Sequence, residues 1–180
     1  MTGALVVVPY DPEWPTQFDA VRTTVLPALA GIDVLAVEHV GSTSVPGLAA
    51  KPVIDVDVVV QPDDVRAATA ALEAIGYTAL GEMGVPQRWA FRPPPGGVRQ
   101  NLYVTVPGCL SLRNHLGLRD TLRADPELRD RYGAVKLALA ERTDDIEVYI
   151  DGKTEMVLEI LARAGIDQDE RAELERINRL

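Results

Sequence analysis

A chain of 180 residues with 18 Lys and Arg against 27 Asp and Glu carries a formal charge of −9, and 47% of it is hydrophobic. That length supports one compact unit with a true core, and the acidity argues against a surface that grips a nucleic-acid backbone. No apolar stretch approaches the ~20 residues needed to span a bilayer, the start lacks a basic secretion-type segment, and the one cysteine, Cys109, excludes an internal disulfide and a multi-cysteine metal site; a cytoplasmic, membrane-free protein is expected.

In chain order, residues 5–8 (LVVV) form a short apolar run ended by Pro9, and DPEWP reads as a turn into a helix. Phe18, Val21, Val25 and Leu29 recur at helical spacing, with Pro27 expected to kink or shorten that helix. Residues 34–40 (VLAVEHV) and 53–60 read as strands around a loop of small residues. Pro62-Asp63-Asp64 opens a helix whose face is Val65, Ala68, Leu72 and Ile75, with acids where the helix dipole favours them. A short strand is expected at 77–80, then strands at 88–92 and 98–106 joined by PPPGG. From Leu110 onward helical periodicity takes over, with helices expected near 110–123, 126–142, 144–164 and 167–179. Asp125-Pro126-Glu127 is a cap, a rigid first residue and a first-turn acid; Asp167 with Glu170 suggests a capping box. The expected class is α+β: a small mixed unit at 1–108 and a helical region at 109–180 packed on it as one body.

The chemistry concentrates in HVGSTSVPGLAAKPVIDVDVVV, residues 39–60. Strand residues i and i+2 share a face, so Asp55 and Asp57 point together while Ile54, Val56 and Val58 point the other way. Two carboxylates on one face repel unless a positive charge sits between them. A hard divalent cation with oxygen ligands is the least costly relief, and Mg²⁺ fits, because it takes one or two carboxylates plus substrate phosphates. The loop before the second strand suits the phosphate. Gly41 lets the backbone approach a ligand closely, and Ser42 offers a hydroxyl and an amide. Thr43 follows in the same turn, and Lys51 can neutralise phosphate or pair with an aspartate. A P-loop is excluded, since no Gly-Lys-Ser/Thr follows spaced glycines.

This stretch resembles the signature of the GrpB family, and YDPEWPTQF, LRDTLRADPELRDRYGAVKLALA and VYIDGKTEMVLEIL resemble further family blocks. The family in turn resembles the DNA polymerase beta-like nucleotidyltransferases, marked by Gly-Ser followed by Asp-x-Asp. The resemblance implies a nucleotidyltransferase-like small mixed β-sheet with flanking helices and a C-terminal helical half. It implies that Gly41 and Ser42 hold phosphate, that Asp55 and Asp57 hold metal, and that a nucleoside triphosphate gives up pyrophosphate to a small-molecule acceptor. It also implies basic residues from the helical half against the triphosphate, at Lys136 and Lys153. The chain departs from the superfamily pattern at its last strand, where a third carboxylate is usual and His-x-His is common in GrpB relatives. Asn101 and Tyr103 stand there instead, so a nucleotide-binding accessory domain without turnover is the alternative. Fusions of family members to dephospho-coenzyme A kinase fit that alternative.

Several further residues are read with their structural alternatives. Glu38, near the loop's mouth, is an accessory candidate for the base. Arg88, Arg92 and Arg99 bracket the later strands and can reach an anion or form a solvated face. Tyr132 and Tyr149 precede Lys136 and Lys153 by four residues, so each pair shares a helical face. His39 and His115 are read as structural, Trp14 and Trp89 as core or cleft wall. The nucleotide, the acceptor, the base and the oligomeric state are not legible.

Overall fold

The computed structural model describes residues 5–178. Helix α1 (Trp14–Ala28) begins with a proline in its first turn and ends one residue after Pro27. Pro27 therefore shortens the helix rather than bending its middle, since a proline ring excludes the hydrogen bond and the carbonyl of the turn before it. Strands β1 (Val34–Val40) and β2 (Ile54–Val60) follow. Between them Ser42–Ser44 forms a single 3₁₀ turn, which the loop-like sequence did not announce. Another such turn at Pro62–Asp64 leads into α2 (Val65–Ala74). Strands β3 (Thr78–Gly81), β4 (Arg88–Arg92) and β5 (Gln100–Thr105) complete the sheet. The helical half is α3 (Leu110–Ala124), α4 (Pro126–Ala140), α5 (Ile146–Arg163) and α6 (Gln168–Asn178). The expected end of the last helix at 179 lies outside the described residues.

Helix starts follow the capping chemistry. The Asp125 carboxylate accepts the Leu128 amide at 3.0 Å ahead of α4, and Asp145 accepts those of Glu147 and Val148 ahead of α5. Asp167 and Glu170 exchange backbone and side-chain bonds at 2.9 and 3.4 Å, a capping box at the head of α6.

The sheet order is β1-β2-β5-β4-β3, with β2 and β5 parallel and every other pair antiparallel. This is the expected mixed α+β class. Alternation along β2 sends Ile54, Val56, Val58 and Val60 into a core with Trp14, Val21 and Val25 of α1 and Ala68 and Leu72 of α2. Complete burial of such side chains contributes ~1.5–3 kcal/mol each. On the sheet's other face, Val45 and Leu48 of the small-residue loop enter a second core with Leu122, Leu128, Tyr132, Ile160 and Leu161. The helices thus close over the face that carries Asp55 and Asp57.

Candidate functional site

The site grows from the crossing of β1, β2 and β5. Asp55 lies opposite Asn101, and Asp57 opposite Tyr103, in the parallel register of β2 and β5. Asn101 donates its side-chain amide to Asp55 Oδ1 at 2.8 Å. Asp57 is fully buried, and its Oδ2 meets His115 Nδ1 at 2.8 Å across a separation of 58 residues. Its other oxygen, Oδ1, is buried without a hydrogen-bond partner. Burial pushes the Asp55 carboxyl upward, opposed by the Asn101 hydrogen bond and the His115 charge and assisted by Asp57. For His115, burial pulls downward, but the charge and hydrogen bond of Asp57, aided by Asp55, outweigh it and raise the imidazole. His115, expected to be structural, reaches Asp57 and faces the space beside Asp55.

Gly41 makes the approach of loop to carboxylate possible. Its φ is +68°, and a Cβ there would lie 2.8 Å from the carboxyl carbon of Asp55. Gly41→Ala is expected to lower stability by ~1–3 kcal/mol, the cost of a side chain in that backbone region, before counting the displaced carboxylate. A melting curve checks this; an unchanged midpoint contradicts the packing described.

A cavity of about 320 Å³ opens beside Asp55, lined by Ser42, Thr43, Lys51, Asn101, Tyr103, His115, Lys136, Tyr149 and Lys153 among others. A smaller chamber of about 190 Å³ adjoins it, shares Ser42, Asp55, His115 and Lys153, and adds Gly41, Asn114, Tyr132 and Val157. Three lysines converge here from separate segments. Lys136 Nζ stands over the Tyr132 ring at 4.6 Å, and Lys51 and Lys153 flank Tyr149 at 5.7 and 5.4 Å. Among the described residues no carboxylate is ion-paired with any of them. Lys136 is only 1% exposed and its Nζ has no hydrogen-bond partner. Burial, then the charge of Lys153, drives Lys136 well below the usual lysine range; burial also lowers Lys153, and burial with Lys153 lowers Lys51. Buried, unpaired ammonium groups are costly unless an anion arrives.

The predicted residues thus fall into two groups. Gly41, Ser42, Thr43, Lys51, Asp55, Asn101, Tyr103, Lys136 and Lys153 line the two chambers, with Asp57 directly behind them. Glu38, Arg88 and Arg99 do not. Glu38 is ion-paired with Arg119 at 2.7 Å. Arg88 stacks over Tyr103 at 4.7 Å, and Arg99 is exposed. Asp55 and Asp57 offer hard oxygen donors on one strand face, and the orphaned Asp57 Oδ1 suits a cation. The described residues hold no cluster of three or more His, Cys, Asp or Glu arranged for a metal. Two carboxylates are the donors present, a number that suits a cation also coordinated by a phosphate.

His39 closes the loop from the other side, its ring stacked on Phe18 and its Nε2 3.1 Å from Thr43 Oγ1. Burial, then Arg123 and Arg119, lowers its pKa from 6.5 to about 4. A folded pKa below the unfolded one means stability present above pH 6.5 and lost as pH falls toward 4. Discounted for residual solvent, that loss is on the order of 1–2 kcal/mol. His39→Gln cannot take up the proton, so the stability difference between the two proteins should narrow over that window in urea titrations. A constant difference contradicts the assignment.

The family model described as GrpB protein matches residues 4–163. The chain is 38% identical to the UPF0157 protein BH1888 of Halalkalibacterium halodurans, covering 91% of this chain and 84% of that one. It is 33% identical to the dephospho-CoA kinase of Mycolicibacterium paratuberculosis, over 80% of this chain but 42% of the kinase. The crystal structure of conserved protein GrpB from Enterococcus faecalis superposes with a TM-score of 0.79 at 33% identity, covering 88% of this chain and 96% of that one. The Cid1 poly(U) polymerase, solved with MgGTP bound, superposes with a TM-score of 0.54 at 22% identity, over 76% of this chain and 45% of Cid1, which is a likeness of fold.

Proposed function

The chain belongs to the GrpB family, and from that premise we propose that its pocket binds a nucleoside triphosphate with Mg²⁺ and transfers the nucleoside monophosphate to a small acceptor bearing a hydroxyl, amine or acid. The observation that carries this reading is the convergence on one pocket of three lysines with no carboxylate partner among the described residues, beside Asp55 and the Gly41–Thr43 turn. The fold shared with a polymerase solved with MgGTP supports it.

In this reading Asp55 and Asp57 hold the cation. When bound, Mg²⁺ supplies positive charge that offsets the phosphates and polarises their phosphorus–oxygen bonds. Ser42 receives a phosphate on its hydroxyl and backbone amide, and Thr43 on its amide alone, since the Thr43 hydroxyl donates to the Val53 carbonyl at 3.3 Å. The acceptor oxygen or nitrogen bonds to the α-phosphorus while the bond to pyrophosphate breaks. Lys51, Lys136 and Lys153 then offset the charge that gathers on the leaving group. The tyrosine rings under the lysines hold the ammonium groups in place and exclude water. The acceptor's proton passes to solvent water, because neither Asn101 nor Tyr103 can take it. The first has no basic atom, and burial with the charge of Asp55 pushes the second up to about 12.

One observation favours a second reading, binding without transfer. At the β5 position beside Asp55 stands an amide that donates to the carboxylate, not a third acid. The family relationship to part of a dephospho-CoA kinase agrees with an accessory role. Two measurements separate these readings. Melting midpoints with ATP, GTP, CTP and UTP, each with and without Mg²⁺, test binding. Pyrophosphate release over a panel of small acceptors tests transfer. Mg²⁺-dependent stabilisation with pyrophosphate supports the first reading and stabilisation without it supports the second. Absence of any stabilisation contradicts both.

A further inference from the structure

Two arginines of the helical half hold carbonyls of the Gly41–Gly47 loop, and a third holds the end of β1 just before it. Arg119 donates to Glu38 Oε2 at 2.7 Å and to the His39 carbonyl at 3.1 Å. Arg123, one turn later on the same face of α3, places Nε at 3.0 Å and Nη2 at 2.6 Å from the Ser44 carbonyl. Arg129 of α4 donates to the Pro46 carbonyl at 3.2 Å and lies under Gly47, where a Cβ would come within 3.1 Å of its guanidinium. These carbonyls belong to residues 79–83 positions away in sequence, so the bonds form only once both halves have assembled.

The grip on Ser44 is the most consequential. Ser44 Oγ donates to the Gly41 carbonyl at 2.6 Å, which closes the 3₁₀ turn on itself. The Val45 amide, in the peptide unit whose carbonyl Arg123 holds, donates to the Ser42 carbonyl at 3.2 Å. A chain of hydrogen bonds thus runs from the guanidinium through the Ser44–Val45 and Ser42–Thr43 peptide units. Bonds in such a chain polarise one another. Its far end is the Thr43 amide, in the turn that lines the pocket. The forked donation fixes the direction of the carbonyl as well as its position, which an ammonium group cannot do.

We propose that Arg123 is a positioning residue for the Ser42–Thr43 turn, supported by Arg119 and Arg129, so that the helical half sets how well the turn receives phosphate. This rests on the reading that the turn binds a nucleotide's phosphate. Arg123 touches none of the pocket-lining groups; it acts through Ser44.

The test is titration calorimetry of the full chain with the Mg²⁺ complex of whichever nucleotide stabilises the wild type. Arg123→Met should weaken binding about tenfold or more, the worth of a charge-assisted hydrogen bond acting on the site. Arg123→Lys should recover only part of that loss. Arg131→Met, which removes a surface pair with Glu159 and no bond to the loop, should bind like wild type. Added methylguanidinium should restore affinity to Arg123→Ala and leave Arg131→Met unchanged, a response that a general loss of packing would not give. If Arg123→Met does not fold, Arg123→Lys and the methylguanidinium experiment carry the test. Wild-type affinity in folded Arg123→Met or Arg123→Lys overturns the proposal while leaving nucleotide binding intact. A wild-type chain that binds no nucleotide overturns the underlying reading instead.

Discussion

Asp55→Asn is expected to abolish Mg²⁺-dependent nucleotide stabilisation and, in the same protein without ligand, to raise the melting midpoint. Both effects follow from one arrangement. The Asp55 carboxylate sits on the same strand face as the buried Asp57, and burial and Asp57 both favour its neutral form. A neutral amide at 55 keeps the bond from Asn101, since its carbonyl oxygen still accepts the donor now 2.8 Å from Oδ1. The substitution removes one of two mutually repelling charges without leaving a cavity. A gain of ~1–2 kcal/mol is expected from that relief, and ~2–4 °C per kcal/mol for a domain of this size. Under the proposed function the same substitution removes one of the two carboxylates that would hold the cation, so affinity for a Mg²⁺–nucleotide should fall by ~100-fold or more. Differential scanning calorimetry with and without ligand reads both. A ligand-free Asp55→Asn protein less stable than wild type contradicts the electrostatic account of the pair.

The second large effect belongs to Lys136. Its ammonium is 1% exposed, lies over Tyr132, and has no hydrogen-bond partner. Methionine fills nearly the same volume and keeps contact with the ring, so Lys136→Met should stabilise the ligand-free chain by about 1–4 kcal/mol, the range found when buried charges give way to apolar groups. The sign with pH is fixed by the direction of the shift. A lysine whose folded pKa lies below 10.5 costs stability at every pH under that folded value, and the cost fades as pH rises toward 10.5. The advantage of Lys136→Met should therefore be largest at acidic pH and shrink as pH rises toward 10.5. Nucleotide affinity should fall at the same time, because the anion loses its most desolvated partner. A destabilised Lys136→Met protein that binds as wild type would show that Lys136 serves the core alone.

Opposed effects of this kind, once measured, would mark residues kept for a ligand rather than for the fold. The arrangement of the candidate site is partly legible in sequence. The i, i+2 spacing of Asp55 and Asp57 in a run of β-branched residues fixes their common face without any tertiary information. The four-residue spacing of Tyr132 with Lys136, and of Tyr149 with Lys153, likewise fixes the ring beneath each ammonium. Strand and helix limits followed the same local signals, with β1 at Val34–Val40 and α4 opening on Asp125-Pro126. What stayed hidden is non-local. His115 meets Asp57 across 58 residues, and nothing in its own helical segment distinguishes it from a histidine on a solvated face. The Asn114-His115 pair in the first helix after the last strand is the nearest thing to a signal. Glu38 looked available because it stands by the loop, but Arg119 of α3 occupies it. The arginine grip on the loop carbonyls was equally invisible, since backbone acceptors leave no mark in sequence.

The central claim is that the paired aspartates and the three lysines act together on one ligand, and a crystal of the full chain grown with Mg²⁺ and a non-hydrolysable nucleoside triphosphate tests it most directly. The account predicts an ion bridging Asp55, Asp57 and the phosphates, with the phosphate chain running from the Ser42–Thr43 turn toward Lys51, Lys136 and Lys153. A nucleotide seated elsewhere, or a pocket in which Asp57 keeps only His115 and no ion joins it to Asp55, would contradict it.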